Sequence, residues 1–372
     1  MQITAAVLHE PQGQLSFQTL ELEAPRPREI RVRLVATGVC HTDISVMGRP
    51  FPVPQPIVLG HEGAGIVESV GSAVTKVKAG DRVVLSYNFC GECVSCQRHA
   101  SSYCQYFFGH NFLGQRRDGS TALSYTGQPV RHQFFGQSSF ATHCLCSENN
   151  AVKIPDSVPD EIFELLGPLG CGIQTGAGAV INVLKPQIGE SFVVFGAGAV
   201  GMAGLMAAKA VGAAIRIAVD RVPERLKLAT ELGATHTIAA DGQTDVVTLI
   251  RDITGGGANC SLDTTAVSSV LRQALDCLGS LGRCGFVGGA PAGTTLEVDV
   301  RDMMLSGKTL RGIVEGDANA DTFIPDLIRI QAQGNFPFEK LMKIYPFDAI
   351  KQAMEDSKSG VTVKPVLRMP AG

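Results

Sequence analysis

Four cysteines lie close together in the sequence, at a spacing that is typical of a metal site. Cys90, Cys93, Cys96 and Cys104 follow the pattern C-x2-C-x2-C-x7-C in a chain with 11 cysteines. Four thiolates this close can surround Zn2+ as a tetrahedron with no open coordination position, which makes a structural site. An iron–sulfur cluster is the rival interpretation, but no electron-transfer signature accompanies these residues. In a cytosol-like chain, clustered cysteines favour metal over disulfides.

A second set of residues suits a metal with one open position. Cys40 precedes His41-Thr42-Asp43, His61 lies in a Gly-His-Glu element, and Cys171 is flanked by two glycines. The three candidate ligands offer one imidazole and two thiolates, and a catalytic zinc needs about three protein ligands plus a position for substrate. Any one of them alone is more often a core residue. The prediction of a catalytic metal therefore depends on the three together.

A glycine-rich turn predicts a dinucleotide site in the second half of the chain. An apolar strand over residues 191–195 leads into Gly196, Gly198 and Gly201, spaced G-x-G-x-x-G. The first glycine permits a tight turn, the second lets the backbone approach a pyrophosphate, and the third lets helix and strand pack closely. The next strand ends at Asp220, whose carboxylate can bind the adenosine ribose and would repel a 2′-phosphate. The sequence therefore favours NAD, although Arg221 could tolerate some NADP.

The patterns around these residues change near residue 173. Before it, short alternating runs such as residues 30–35 and 65–70 are interrupted by Pro and Gly, which predicts a β-rich domain. After it, apolar strands alternate with helical patterns, which predicts a parallel sheet with right-handed crossovers. We therefore predict an α/β protein. Its parts are a catalytic domain with a structural zinc lobe over residues 1–172, a doubly wound Rossmann NAD domain over 173–315, and a return to the catalytic domain over 316–372.

Composition narrows the class of partner. The chain has 372 residues, a formal net charge of −3 and no Lys/Arg tract, so we expect neither nucleic acid nor an anionic membrane as a partner. An apolar uncharged stretch, residues 192–208, contains four glycines and is shorter than the about 20 residues of a membrane helix. Residues 1–10 lack the pattern of a secretory signal. We expect a cytoplasmic enzyme.

The order of these motifs resembles that of the medium-chain zinc alcohol dehydrogenases over essentially the whole chain. Residues 167–176, 137–142 and 314–316 are similar to the bacterial aryl-alcohol (benzyl alcohol) dehydrogenases. Geraniol-type allylic alcohol dehydrogenases are a near neighbour. The resemblance implies a GroES-like fold for the catalytic domain, NAD as cofactor, and two Zn2+ per chain, one catalytic and one structural. It also implies a homo-oligomer and favours a tetramer over a dimer.

The resemblance assigns roles around the catalytic zinc. Thr42 would hydrogen-bond the alcohol and begin a proton relay, and Asp43 would orient His61. Glu62 would lie behind the metal, where relatives pair a carboxylate with an Arg, and Lys364 occupies the place of that Arg.

Further roles concern the cofactor and the proton. His41 would meet the NAD pyrophosphate. Ser45 stands where many relatives have a histidine that passes the proton to solvent, so the relay must end differently, through water, the ribose hydroxyl or His41. The expected cofactor contacts are His41, Gly196, Gly198, Gly201, Asp220, Arg225, Val287 and Lys364.

The substrate prediction depends on the pocket. Ser86 falls where many ethanol-type relatives have a bulky aromatic residue, and a small residue widens the pocket. The candidate apolar wall residues are Phe51, Phe112, Phe140 and Val287. A wide apolar pocket suits benzyl, cinnamyl or terpenoid primary alcohols.

Two other functions remain open at this point. Glutathione-dependent formaldehyde dehydrogenase is a close cousin, but the sequence shows no clear basic set for a charged glutathione adduct. A non-enzymatic zinc- and NAD-binding protein should have lost a zinc ligand, whereas all three ligands and Thr42 are present.

Overall fold

The computed structural model describes residues 1–48 and 53–370. The chain divides into two compact units: Met1–Cys171, Asn319–Pro325 and Glu339–Gly372 form the first, and Gly172–Ala318 and Asp326–Phe338 form the second. The first boundary lies next to the one expected from sequence at residue 172. The C-terminal part expected to return to the catalytic domain is divided, because residues 326–338 belong to the second unit.

Strands outnumber helices in the first unit and alternate with helices in the second. The strands are β1 Gln2–Leu8, β2 Leu15–Leu22, β3 Glu29–Gly38, β4 Ile57–Val58, β5 Gly63–Val70, β6 Arg82–Leu85, β7 Leu123–Tyr125, β8 Gln128–Val130, β9 His143–Ser147, β10 Ala151–Lys153, β11 Ser191–Phe195, β12 Ile215–Asp220, β13 His236–Ala239, β14 Ala258–Asp263, β15 Leu278–Phe286, β16 Thr309–Gly312, β17 Met342–Pro346 and β18 Lys364–Arg368.

The helices are mostly short in the first unit and longer in the second. They are α1 His41–Gly48, α2 Val94–Gln97, α3 Phe107–Asn111, α4 Asp160–Phe163, α5 Gly172–Gly178, α6 Ala199–Ala210, α7 Pro223–Leu232, α8 Val246–Thr254, α9 Ser268–Asp276, α10 Val300–Ser306, α11 Ala320–Ala332 and α12 Ile350–Ser359. Turns of 3₁₀ helix lie at Ser101–Tyr103, Phe134–Gly136, Glu148–Asn150, Gly167–Gly170, Glu315–Asp317, Phe338–Leu341 and Phe347–Ala349, and a π-helical turn at Ala179–Leu184 follows α5. Across the described residues, no helix is long and apolar enough to cross a membrane.

The first unit contains two sheets, in the orders β4-β1-β2-β7-β8 and β10-β6-β5-β3-β18-β17, with β9 also paired to β3. Alternate residues of β3 are buried, as expected of a strand that packs one face on a core. β3 pairs antiparallel with β5 and with β18, so that Thr37 lies opposite Gly63 and Gly38 opposite Val366. The C-terminal end of β3 therefore lies beside the N-terminal ends of β5 and β18.

The second unit contains one parallel sheet in the order β13-β12-β11-β14-β15-β16. Counted from β11, the order is 3-2-1-4-5-6, which is the Rossmann order with its switch point between β11 and β14. Every residue of β11 is buried, as expected for a central parallel strand covered on both faces. The predicted strand at residues 191–195, the turn and the following helix are confirmed.

Candidate active site

Four potential metal ligands converge in the first unit. Cys40, His61, Glu62 and Cys171 each offer one ligand atom, and these atoms lie within 4.8 Å of one another. Cys40 follows β3, while His61 and Glu62 directly precede β5. The antiparallel pairing of β3 with β5 therefore explains how two ligands distant in sequence come together, and Cys171 reaches them from the turn that ends the first unit's long segment.

Asp43 fixes the orientation of His61. Asp43 Oδ1 lies 3.0 Å from His61 Nδ1 and accepts a hydrogen bond from the Gly60 N–H, while its Oδ2 accepts from the Cys40 N–H. Burial alone lowers the pKa of His61, but the nearby Asp43 and Cys40 charges outweigh it and raise that pKa. Surroundings this anionic also favour a bound cation.

The other ring nitrogen of His61 supports a metal site more directly. Nε2 is buried, and no residue in the described part of the chain hydrogen-bonds to it. A buried polar atom without a partner is uncommon and needs an explanation. A ring whose Nδ1 is held by a carboxylate while Nε2 is left for a metal is the usual arrangement of zinc-binding histidines. The residues present therefore fit a zinc ion.

Cys40 and Glu62 show how charge is arranged in this cluster. A hydrogen bond with Cys171 lowers the pKa of the Cys40 thiol well below its usual value. Burial raises the pKa of Glu62 to about 7, against the opposing charge of Lys364. Lys364 Nζ donates to both carboxylate oxygens of Glu62 at 2.9 Å and to the Val39 carbonyl at 3.2 Å.

Lys364 therefore pairs with Glu62, as the family resemblance implies. An ammonium group has three donors, and all three are used within the first unit. This placement does not support the additional role of Lys364 as a cofactor contact, because its charged group is buried and already fully bonded.

The four-cysteine lobe forms the other cluster. Cys90, Cys93, Cys96 and Cys104 offer sulfur atoms within 4.8 Å of one another. The Cys90 sulfur accepts from the N–H groups of Glu92 and Cys93, and the Cys104 sulfur from the N–H of Cys90, at 3.3–3.4 Å. Backbone N–H groups of this kind stabilise thiolates, which suits a tetrahedral zinc site with no open position.

Helix α1 carries the predicted relay residues. Thr42 is half-buried with Oγ1 3.8 Å from the Cys40 sulfur, His41 is exposed, and Ser45 is half-buried. Residues three and four apart are neighbours on a helix surface, so Ser45 lies next to both Thr42 and His41.

An aromatic cluster surrounds the His61 ring, and sequence reasoning missed its two main members. Phe135 stacks on His61 with ring centroids 4.4 Å apart, and Phe134 meets it edge-on at 5.5 Å. Phe112, a predicted wall residue, packs against both phenylalanines. The signal in the sequence that could have indicated these two residues is that they are adjacent phenylalanines just before residues 137–142.

The remaining predicted pocket residues have different surroundings. Phe140 is fully buried in the core beside Gly60, so it supports the His61 segment rather than lining a cavity. Ser86 is buried, and its hydroxyl donates to the Gly170 carbonyl at 2.7 Å. Val287 is buried in the second unit and donates its N–H to the Asp263 carbonyl. Phe51 lies outside the described residues.

The glycine turn of the second unit has the geometry that its spacing predicts. Gly196 has φ of +92°, and a Cβ at Gly201 would lie 1.9 Å from the Gly196 carbonyl oxygen. Around Gly198, by contrast, no described atom lies within 4 Å of the position a Cβ would take. The space beside Gly198, at the N-terminus of α6, fits a pyrophosphate approaching the backbone.

Asp220 lies at the end of β12 beside this turn. Its Oδ2 accepts from the Ala197 N–H at 2.6 Å and its Oδ1 from the Val222 N–H at 2.8 Å. Arg225 Nη1 lies 3.9 Å from the carboxylate, and the neighbouring Arg221 is exposed. The carboxylate is thus fixed beside the glycine turn that follows β11, and ligands of this fold bind at the switch point next to that strand.

Comparison with known families and structures agrees with this geometry. Residues 26–156 match the alcohol dehydrogenase GroES-like domain, and residues 199–330 match the zinc-binding dehydrogenase family. A geraniol dehydrogenase from Castellaniella defragrans is 45% identical over 98% of this chain and 96% of its own length. The chain belongs to the zinc-dependent medium-chain alcohol dehydrogenases.

Two solved structures are similar over their full length. A benzyl alcohol dehydrogenase from Acinetobacter calcoaceticus is 49% identical with a TM-score of 0.96, and each chain is covered completely. An alcohol dehydrogenase zinc-binding domain protein from Burkholderia ambifaria is 53% identical with a TM-score of 0.97, again with both chains covered completely. The predicted family, the GroES-like first domain and the dehydrogenase class are confirmed.

Proposed function

We propose that this dehydrogenase oxidises primary aromatic or allylic alcohols reversibly to aldehydes, with NAD as hydride acceptor and zinc held by Cys40, His61 and Cys171. The observation that carries the proposal is the buried, unpartnered His61 Nε2 among the described residues, gathered with two thiols and one carboxylate within 4.8 Å. Three such ligands leave a fourth position for the substrate oxygen.

The chain's own residues divide the work of the reaction. Bound zinc supplies Lewis acidity that lowers the pKa of an alcohol, and NAD accepts the hydride. Asp43 holds the His61 ring in one orientation, and the Glu62–Lys364 pair supplies a balanced buried charge behind the ligands. The Thr42 hydroxyl would accept the proton of the alcohol while its own proton leaves for solvent through water, the cofactor ribose hydroxyl or His41.

The proposed substrate class has two supports. The named substrates of two relatives, geraniol and benzyl alcohol, are both primary alcohols whose carbinol carbon adjoins an sp2 carbon. The buried aromatic cluster beside His61 makes the surroundings of this candidate ligand apolar.

A substrate panel tests this class. Benzyl alcohol, cinnamyl alcohol and geraniol should give kcat/KM values well above that of ethanol when NADH formation is followed by absorbance. A preference for ethanol, or turnover of formaldehyde only with glutathione, would overturn the proposed class. Geraniol above benzyl alcohol would place the chain with the terpenoid alcohol enzymes, which the 45% identical relative favours.

Metal analysis tests the two proposed zinc sites. Carefully purified protein should contain two zinc ions per chain, one for each ligand cluster. One zinc per chain, or iron with sulfide, would contradict the assignment.

The proposed preference for NAD depends on Asp220. A 2′-phosphate placed against this fixed carboxylate would be repelled, which corresponds to a few kcal/mol or about a hundredfold in kcat/KM. Asp220→Ala should narrow the difference between NAD and NADP, helped by the exposed Arg221. Equal kcat/KM for the two cofactors in the unmodified enzyme would disprove the preference.

A further inference from the structure

Gln137 occupies a buried turn of the first unit and uses every atom of its amide group. Its Oε1 accepts a hydrogen bond from the Gly63 N–H at 3.0 Å. Its Nε2 donates to the His61 carbonyl at 3.0 Å and to the Ser86 carbonyl at 3.3 Å. Only 1% of the residue is exposed, so water does not compete for these bonds. One side chain thus joins the His61 segment to the end of β6.

A second link continues from Ser86 to the third ligand. The Ser86 hydroxyl donates to the carbonyl of Gly170, the residue directly before Cys171. The two segments are in backbone contact here, because a Cβ on Gly170 would lie 2.0 Å from the Leu85 carbonyl oxygen. A chain of three hydrogen bonds therefore connects the backbone at His61 with the backbone at Cys171.

The turn that carries Gln137 is itself held in an uncommon conformation. Gln133, Phe135 and Ser138 have φ of 62°, 49° and 55°, in the left-handed region that non-glycine residues rarely adopt. The Ser138 hydroxyl accepts from the Phe134 N–H and donates to the Val58 carbonyl. Strained backbone of this kind persists only where surrounding contacts determine it. The direction of the Gln137 side chain is thereby fixed.

We infer that Gln137 is a positioning residue for the proposed catalytic metal, because it sets the distance between the backbone segments that carry His61 and Cys171. The inference rests on the proposed function, in which these two residues hold zinc. A glutamine suits this position because its planar amide offers one acceptor and two donors at once. Removal of the amide would leave buried backbone groups unsatisfied at His61 and Gly63, while the Ser86 carbonyl would keep its hydrogen bond from Asn150.

The test compares Gln137→Met with the unmodified enzyme, using metal affinity rather than activity as the main readout. Residues that support metal ligands typically contribute 10–100-fold to affinity, so about that loss is expected at the catalytic site in competition with a chelator. The affinity of the four-cysteine lobe should not change. With Co2+ in the catalytic site, the d–d absorption bands should shift, because they report the ligand geometry.

Two further variants keep the test decisive. Ser86→Ala removes only the hydroxyl that reaches Gly170 and should weaken the same site by a smaller factor, even if Gln137→Met does not fold. Tyr345→Phe is the matched control, since it removes a buried hydroxyl bonded to Asp356 and Thr362 that contacts none of the candidate metal ligands. It should lower the unfolding temperature without shifting the cobalt bands.

The outcomes separate this inference from the proposed function. If the unmodified enzyme binds only one metal or oxidises no alcohol, the proposed function fails. A different outcome concerns only Gln137, and it requires that the unmodified enzyme binds two zinc ions and oxidises alcohols. If Gln137→Met and Ser86→Ala then show the same cobalt bands and the same metal affinity as the control Tyr345→Phe, the positioning role of Gln137 is wrong.

Discussion

The four-cysteine lobe takes its candidate ligands from one short stretch, Cys90 to Cys104. The Cys40–His61–Cys171 set takes its candidate ligands from three separate segments, the last of which lies more than a hundred residues beyond the first two. In the lobe, backbone N–H groups of neighbouring residues hold the sulfur atoms. In the other set, β3, β5 and the turn before Cys171 must first assemble. One cluster is thus a property of a loop, and the other a property of the folded unit.

The electrostatic surroundings of the two clusters also differ. Backbone N–H groups of Cys96 and Gln105 lower the pKa of Cys93 to about 6, while burial raises the pKa of Cys96 to about 12. Around the other cluster, the balancing groups are buried charged side chains, Asp43 on His61 and Lys364 on Glu62. A ligand set that leaves one coordination position open needs such external support, because a fourth ligand is not available to complete its geometry.

The largest expected difference between the clusters appears when each loses one thiol. Cys171→Ala should abolish alcohol oxidation while the protein stays folded, because the surrounding sheet holds this site together. Cys96→Ala should instead lower the unfolding temperature or prevent assembly, because metal binding to a closed thiolate site contributes folding free energy. Turnover assays and thermal unfolding of both variants, with zinc content measured, provide the comparison.

A stable and fully active Cys96→Ala variant would remove the structural assignment of the lobe. A Cys171→Ala variant that unfolds as readily as Cys96→Ala would show that the two clusters do not differ in the way proposed.

The next effect concerns the buried ion pair behind the catalytic ligands. Lys364→Met leaves the Glu62 carboxylate buried without its partner and should reduce the free energy of unfolding by about 3–5 kcal/mol. The double variant Glu62→Gln with Lys364→Met removes both charges and should recover much of this loss. Denaturant unfolding of metal-free protein measures the pair without a contribution from zinc.

Lys153→Met is the control for this experiment. Lys153 pairs with Asp81, but about half of its side chain is exposed, so its removal should cost only about 0–1 kcal/mol. Equal losses for Lys153→Met and Lys364→Met would mean that the buried charges do not support the site.

The same contrast explains what could be predicted from the sequence. The lobe and the glycine turn are local patterns whose spacing alone implies their chemistry, and the order of strands and helices in the second unit follows from alternating buried runs. Lys364 was placed beside Glu62 only through family resemblance, since 302 residues separate them.

Tertiary contacts were harder to predict. Phe140 and Phe135 are both buried apolar residues of one short stretch, yet Phe135 stacks on His61 and Phe140 packs beside Gly60. Their side-chain directions depend on the left-handed residues of the intervening turn, which no periodicity indicates. Gln137 was noted only as part of a family-like stretch, because its bonds to distant carbonyl groups appear only in the folded unit.

The smallest expected effect is that of Ser45→Ala, which removes one of the two hydroxyls of α1. Thr42→Ala should reduce kcat/KM by orders of magnitude, because it would remove the proposed hydrogen bond to the oxygen of the alcohol. Ser45→Ala should cost little, since a serine hydroxyl in this position is not a competent base near neutral pH, although it lies next to Thr42 and His41 on the helix. A general base typically contributes about 10²–10⁴-fold, which sets the scale for an essential relay member.

Ser45→His sharpens this last comparison by adding a group with an unperturbed pKa of about 6.5. A neutral imidazole accepts a proton and an imidazolium does not, so any gain in alcohol oxidation should appear as the pH rises through that value. The pH dependence of kcat/KM for benzyl alcohol in Thr42→Ala, Ser45→Ala and Ser45→His measures all three effects. A Ser45→Ala loss as large as that of Thr42→Ala would make Ser45 an essential part of the relay. The proposed catalytic site would then need two hydroxyls of α1 to carry the proton of the alcohol, whereas the closed four-cysteine lobe needs no proton path.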